Sequence, residues 1–264
     1  MKHMKHLLQI EWLKLRTYRT FWVLFIFCLL GLFAINFLAY GYYRQYIGGS
    51  ADAVLLSAPF GFPNVWQSVS YVSGLLLFLP GLLIMNLMSN EMNFRTHRQN
   101  IIDGISRTRF IHTKLVMVIL FSFFLTIVVF LCGLLLGLVS GGSPSFRNIQ
   151  YIGYFFLQCV SYGGLSLLFG LWFKKLGLAI GMFFLYLWVV EKVVSTTLNL
   201  FGKPWLGNYL PLSTTDKLTP FPFASTIAAR LTEVRVVPLL LLMTALYLFL
   251  YARIAIRKFS KDDL

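Results

Sequence analysis

The stretch Asn90–Leu115, NEMNFRTHRQNIIDGISRTRFIHTKL, is a long polar interruption between two apolar runs. Arg95, Arg98, Arg107, Arg109 and Lys114 all fall within it. Phe94, Ile101, Ile102 and Ile105 recur at roughly helical spacing, which predicts a short helix with one apolar stripe. Asp103-Gly104 and Ser106 supply turn and cap chemistry before the next apolar run. A short amphipathic helix tied to a membrane on both sides is well placed to receive force from a soluble partner. The alternative is a solvated basic loop whose task is to fix topology.

Composition places the whole chain in a bilayer. Apolar residues make up 58% and charged residues 12%, whereas ordinary globular chains are roughly a quarter charged. A net charge of +14 raises nucleic acid as a partner, but that reading needs the basic residues gathered on one solvated face. They instead flank apolar segments in clusters, the positive-inside pattern, so no nucleic acid is expected. At 264 residues the chain reads as one polytopic unit, and no Walker-type phosphate loop interrupts it. Cys28, Cys132 and Cys159 lie inside apolar runs and form no disulfide framework. His3, His6, His97 and His112 show no metal-ligand spacing.

Working outward, residues 1–20 carry Lys2, Lys5, Lys14, Arg16 and Arg19 beside Met4, Leu7, Leu8, Leu15 and Tyr18. They predict an interfacial helix, or a basic flank that orients the first span. Spans are expected at 21–40, 70–87, 116–139, 151–173, 176–200 and 236–252, with a kink at Pro80. Sixteen Lys/Arg fall in the four segments placed inside and six in the three placed outside, with Lys192 set apart. Six spans with both termini cytoplasmic satisfy the positive-inside rule. Residues 201–235 hold four prolines yet remain rich in Trp, Tyr, Leu and Phe. Short broken helices dipping into the outer leaflet would suit them, as would an aromatic-rich interfacial loop. The pairs Gly133/Gly137, Ser166/Gly170 and Gly177/Gly181 have the small-residue spacing of close helix packing, and most are assigned to contacts within the chain.

Several short motifs resemble one family. Glu91, Thr96, Arg98, Ser106-Arg107 and Lys114-Leu115 match the signature between the second and third spans of ABC-2 type permeases. The opening Ile10-Glu11-Trp12-Leu13-Lys14-Leu15-Arg16 is similar to the start of such subunits. The tail Arg257-Lys258-Phe259-Ser260-Lys261-Asp262 is similar to their ending. Arg95 departs from the pattern, because a small residue often precedes the threonine. The resemblance implies an all-α, six-span permease of a bacterial plasma-membrane exporter, with segment 90–115 as the coupling region and a re-entrant segment before span six. It implies ATPase-coupling roles for Glu91, Phe94, Arg95, Thr96, Ile101, Ile102, Asp103, Gly104, Ser106 and Arg107. It further implies cytosolic ATPase subunits that carry ATP and magnesium, a second permease subunit (the same or different), and surrounding lipid. No cofactor is expected on this chain.

Chemistry within the membrane is sparse. Asn36, Asn86, Gln158, Glu191 and Lys192 are the main polar residues inside the apolar runs. They offer neither paired carboxylates nor a Ser/His constellation, so an enzyme is not expected. An ion-coupled transporter usually carries several midplane acids, and this chain has one. An ATP-independent transporter or lipid-handling protein stands as the alternative. Adjacent helical residues point about 100° apart, so Glu191 needs a partner or a wet cavity while Lys192 can reach the headgroups. Either the two form an interfacial structural pair, or Glu191 faces a translocation path.

Overall fold

Apolar segments of this length find no water for their backbone groups in a bilayer, and a helix closes those bonds within itself. The computed structural model describes residues 2–47, 59–94, 96–102, 105–141, 143–173, 175–201, 205–222 and 236–261, and no strand occurs among them. Helix α1 (Lys2–Thr17) leads through Tyr18 into α2 (Arg19–Tyr42), which ends in a π-helical turn, Tyr43–Ile47. Next come α3 (Val65–Gly74) and α4 (Phe78–Asn93), bent by 47° at their junction. The sequence predicts this kink at Pro80, whereas the break lies at 75–77. The shift has a simple cause. Pro80 sits in the first turn of α4, where an N–H has no partner to lose, and in an unbroken helix its ring would strike the carbonyl of Leu76.

The short α5 (Thr96–Ile102) precedes α6 (Arg107–Val139). Ser106 caps α6 by accepting from the Arg109 N–H at 3.4 Å. This helix begins well before the expected span 116–139, and the added turns carry Lys114. Gly141, with φ of 78°, lets the chain leave the far end of α6. Then follow α7 (Gln150–Trp172), α8 (Leu176–Leu185) and a π-turn (Tyr186–Val190) that continues into α9 (Glu191–Phe201). A 3-10 turn, Leu206–Tyr209, and the one-turn α10 (Ser213–Asp216) precede α11 (Val237–Lys261).

Contacts between distant residues fix the path. At one end Lys114 meets Glu11 and Glu91, and Arg107 meets Ser260, so α1, α4, α6 and α11 share that end. At the other end the Trp66 Nε1–H donates to Ser145 O at 2.8 Å and Gln67 Nε2 donates to Pro220 O at 3.1 Å. The pair α3–α4 therefore runs the whole way across as one broken span. Counted with the five longer apolar helices, that makes six candidate membrane spans among the described residues, with both termini at the same end.

Helix α7 forms the middle of the bundle, and its small residues let neighbours close on it. A Cβ on Gly163 would lie 2.8 Å from Val118 of α6 and 2.9 Å from Ile84 of α4, while one on Gly170 would lie 3.1 Å from Met88. Gly133 and Gly137 of α6 receive Trp66 and Phe62, whereas Gly177 and Gly181 face open space. The first two of the three small-residue pairs thus serve packing within the chain. Val23, Phe27, Leu30, Leu38, Phe123 and Leu242 stay exposed on the outer surface, as side chains bathed in lipid would. Gly163→Val should overpack the crossing of α4, α6 and α7 at a cost of about 1–3 kcal/mol. Gly153→Ala, with nothing within 4 Å, should unfold no earlier than the parent. Thermal unfolding of both variants in detergent checks the pair.

Candidate functional site

Two polar sites lie at opposite ends of the bundle. All four of the described carboxylates belong to one or the other: Glu11 and Glu91 to the first, Glu191 and Asp216 to the second.

The first site centres on Lys114, about two turns into α6. Its Nζ donates to Glu11 Oε2 at 2.5 Å and to Glu91 Oε1 at 2.6 Å. Lys14 reaches both carboxylates from the side, at 3.2 and 3.3 Å. Glu11, Glu91 and Lys114 are each buried, and the Phe110 ring lies 5.1 Å from the Lys114 ammonium. Burial pushes the Glu11 carboxyl up, but Lys114 and Lys14, with their hydrogen bonds, pull it further down, so it lies below its ordinary 4.5. Three segments remote in sequence are pinned at one point. Beside the cluster the Tyr18 hydroxyl donates to Asn86 Oδ1 at 2.8 Å and accepts from Asn90 Nδ2, tying the α1–α2 joint to α4.

The predicted coupling residues distribute unevenly around this site. Glu91 turns inward to Lys114 rather than outward. Thr96 Oγ1 donates to the Glu91 carbonyl at 3.4 Å. Arg107 Nη1 donates at 3.0 Å to Ser260 O near the end of α11, where helix carbonyls lack partners. Phe110 stacks on Phe259 with centroids 4.9 Å apart, so the C-terminal helix is also held here. The single apolar stripe predicted for α5 is split: Ile101 and Ile105 pack on the core, while Phe94 and Ile102 are 76% and 77% exposed. Arg95, Asp103 and Gly104 lie outside the described residues.

At the far end a cavity of about 540 Å³ opens between α3, α7, α9 and the segment before α11. Glu191 and Lys192 both line it, Glu191 buried and Lys192 exposed, as their angular separation on the helix requires. Glu191 Oε1 accepts from the Leu212 and Ser213 N–H groups at 2.9 and 2.6 Å, and from Ser213 Oγ at 2.9 Å. It therefore caps α10 from another helix and satisfies backbone donors that the short helix leaves without a partner. Asn199 Oδ1 accepts from the Gly207 N–H at 2.9 Å, and Tyr247 Oη donates to Tyr209 O at 2.8 Å. Residues 205–222 of the proline-rich segment are thus a built element packed into the bundle. Sequence reasoning missed its main charge, Asp216, whose Oδ1 accepts from Gln158 Nε2 at 2.7 Å and from the Tyr162 hydroxyl at 3.1 Å. A lone acid in an apolar, proline-broken stretch was the available signal.

A helical bundle that spans the membrane, with a charged joint at one end and a polar cavity at the other, is the architecture of a transport subunit. Comparison with known families gives the particular group. The pattern described as "ABC-2 family transporter protein" matches residues 7–203. The chain belongs to that family, as a permease subunit of an ABC transporter. A search of curated proteins finds no match.

Removing Lys114 would leave two buried carboxylates facing each other. Lys114→Ala should therefore cost about 3–5 kcal/mol, measured by denaturation in detergent. The pH dependence has a definite sign. Glu11 has its folded value below 4.5, so its contribution is complete above pH 4.5 and is lost as pH falls through that lower value. Across this acid range the melting temperature of the parent should fall more steeply than that of Glu11→Gln.

Proposed function

We propose that the chain forms the translocation path of an ATP-driven exporter and takes its motive force from a separate cytosolic ATPase docked at α5. The observation that carries this reading is the outward face of the coupling segment. Phe94 and Ile102 stand exposed at the end of the bundle that holds both termini, while Ile101 and Ile105 anchor the same segment inward. A seated apolar side chain of this size contributes about 1.5–3 kcal/mol.

The charge cluster supplies the transmission. Displacement of α5 acts on Glu91 one turn away, and through Lys114 on α6 and α1 together. Glu91 is on this view an internal joint rather than a contact to the ATPase, and Arg107 holds the C-terminal helix against the same joint. The outer cavity, with Glu191 and Lys192 on its wall, lies on the export path between two permease subunits. The basic residues at the terminal end support an orientation with that end in the cytosol of a bacterial cell.

Reconstitution of the permease with its ATPase tests the docking. Phe94→Asp and Ile102→Asp should each lower ATPase retention by about tenfold or more while leaving the permease inserted. Arg109→Ala should retain the ATPase and its cargo-stimulated hydrolysis. Equal behaviour of all three variants, or no ATPase associating with the parent, would overturn the reading. Orientation is checked separately. A cysteine at Lys217 should label from outside intact cells, and one at Lys258 only after permeabilisation.

A further inference from the structure

The far-end cavity contains more acceptor capacity than its own residues use. The Tyr162 hydroxyl is shared between the two Asp216 oxygens, at 3.1 and 3.2 Å, and the Gln158 amide adds one donor. A carboxylate offers about four acceptor positions, so two protons leave roughly half of Asp216 unengaged within these contacts. Glu191 is 4% exposed, and the Tyr186 hydroxyl is the one neighbour within reach of the acceptor capacity that its Oε2 has left, among the described residues. Both acids line the cavity.

The positive groups on the wall are placed differently. Lys192 is exposed on a long flexible stem, near enough for Asp216 to feel its charge but not hydrogen-bonded to it, and Lys217 sits beside the mouth. An anionic ligand entering deeply would meet two carboxylates. A neutral apolar ligand would strip water from Asp216 without supplying a counter-charge. Tyr71, Trp188 and Phe221 add aromatic surface around the opening, Trp188 being 69% exposed. Such rings accept both an apolar body and a cation over the ring face. A volume of about 540 Å³ is that of a site for a drug-sized molecule.

We propose that this cavity binds a protonated amine carried on an apolar body, with Asp216 as its counter-ion and Gln158 and Tyr162 as the residues that position that carboxylate. The proposal names a cargo class and rests on the permease reading. Its test needs neither ATPase nor nucleotide, so the two succeed or fail separately.

The full chain in nanodiscs of neutral lipid is titrated into dansylcadaverine, a fluorescent primary amine, and into its N-acetylated, uncharged twin, with anisotropy as the readout. The amine should bind saturably and the twin about tenfold more weakly, the scale of one charge-assisted contact. Asp216→Asn should lower amine affinity to that of the twin and leave the twin unchanged. Trp188→Ala, at the exposed mouth, should weaken both ligands alike. Should Asp216→Asn fail to fold by gel filtration, the amine and twin on the parent protein decide the matter. Equal affinity of the two for the parent, or no saturable binding of the amine, overturns the proposal. So does a well-folded Asp216→Asn that binds the amine as the parent does.

Discussion

One buried ammonium holds the terminal end of this protein together. Lys114 lies between Glu11 and Glu91 at 2.5 and 2.6 Å, and the three residues come from α1, α4 and α6. Taking such charges out of water costs several kcal/mol per ion, and their attraction offsets this only when geometry and hydrogen bonding are good. Here one cation serves two anions, while Lys14 approaches each from the wetter side. The net contribution to stability is therefore modest. What the cluster provides is registry, because each partner is costly to leave alone, so α1 cannot lift from the bundle without stranding Lys114 beside one carboxylate. An interfacial helix fastened only by Leu15 and its apolar neighbours could slide along the membrane. One fastened by a buried ion pair cannot.

The far end meets the same constraint with backbone rather than charge. Four prolines deny the segment between α9 and α11 a continuous helix, so its free N–H and C=O groups need partners from elsewhere. Glu191 and Asn199 of α9 and Tyr247 of α11 supply them. An acid within a span is expensive unless it accepts strong hydrogen bonds, and the capped turn of α10 provides three. The segment and the acid thus make each other tolerable. That mutual dependence leaves a polar cavity at a depth where composition alone predicts grease.

Much of this was legible in the sequence. Hydropathy located the six candidate spans, because apolar length is a local property, and the described helix ends lie near the expected boundaries except at α3–α4, which runs 65–93 rather than 70–87, at the start of α6 and at the end of α11. Ser106 was legible as a cap for the same reason. What stayed hidden was partnership. Glu11 and Lys114 are separated by 103 positions, and no periodicity links them. The stripe on α5 misled because Ile101 and Ile102, though neighbours, face opposite environments once the helix is only two turns long. Asp216 was hidden because a lone acid in a loop ordinarily means solvent. Its partial burial appears only when α7 brings Gln158 and Tyr162 beside it.

Helix α4 connects the two ends. Phe78, its first residue, lines the cavity, and Glu91, near its last, enters the charge cluster. About 20 Å of uninterrupted helix separates them. Along that length α4 is seated closely: a Cβ on Gly81 would lie 2.9 Å from Phe183 of α8, Ile84 faces Gly163, and Met88 faces Gly170. Interlocked side chains of this kind resist sliding, since advancing by one residue would drive each of them into a helix backbone. They resist tilting less, because at the 75–77 break the α-helical ladder gives way to the poorer i→i−3 bonds of Leu75 to Val72, Leu76 to Ser73 and Leu77 to Gly74. On the coupling proposed above, a force applied at Glu91 would turn α4 about the glycine contacts, and the residues it would reach at the other end are Phe78 and Leu75 at the break, both of which form cavity wall.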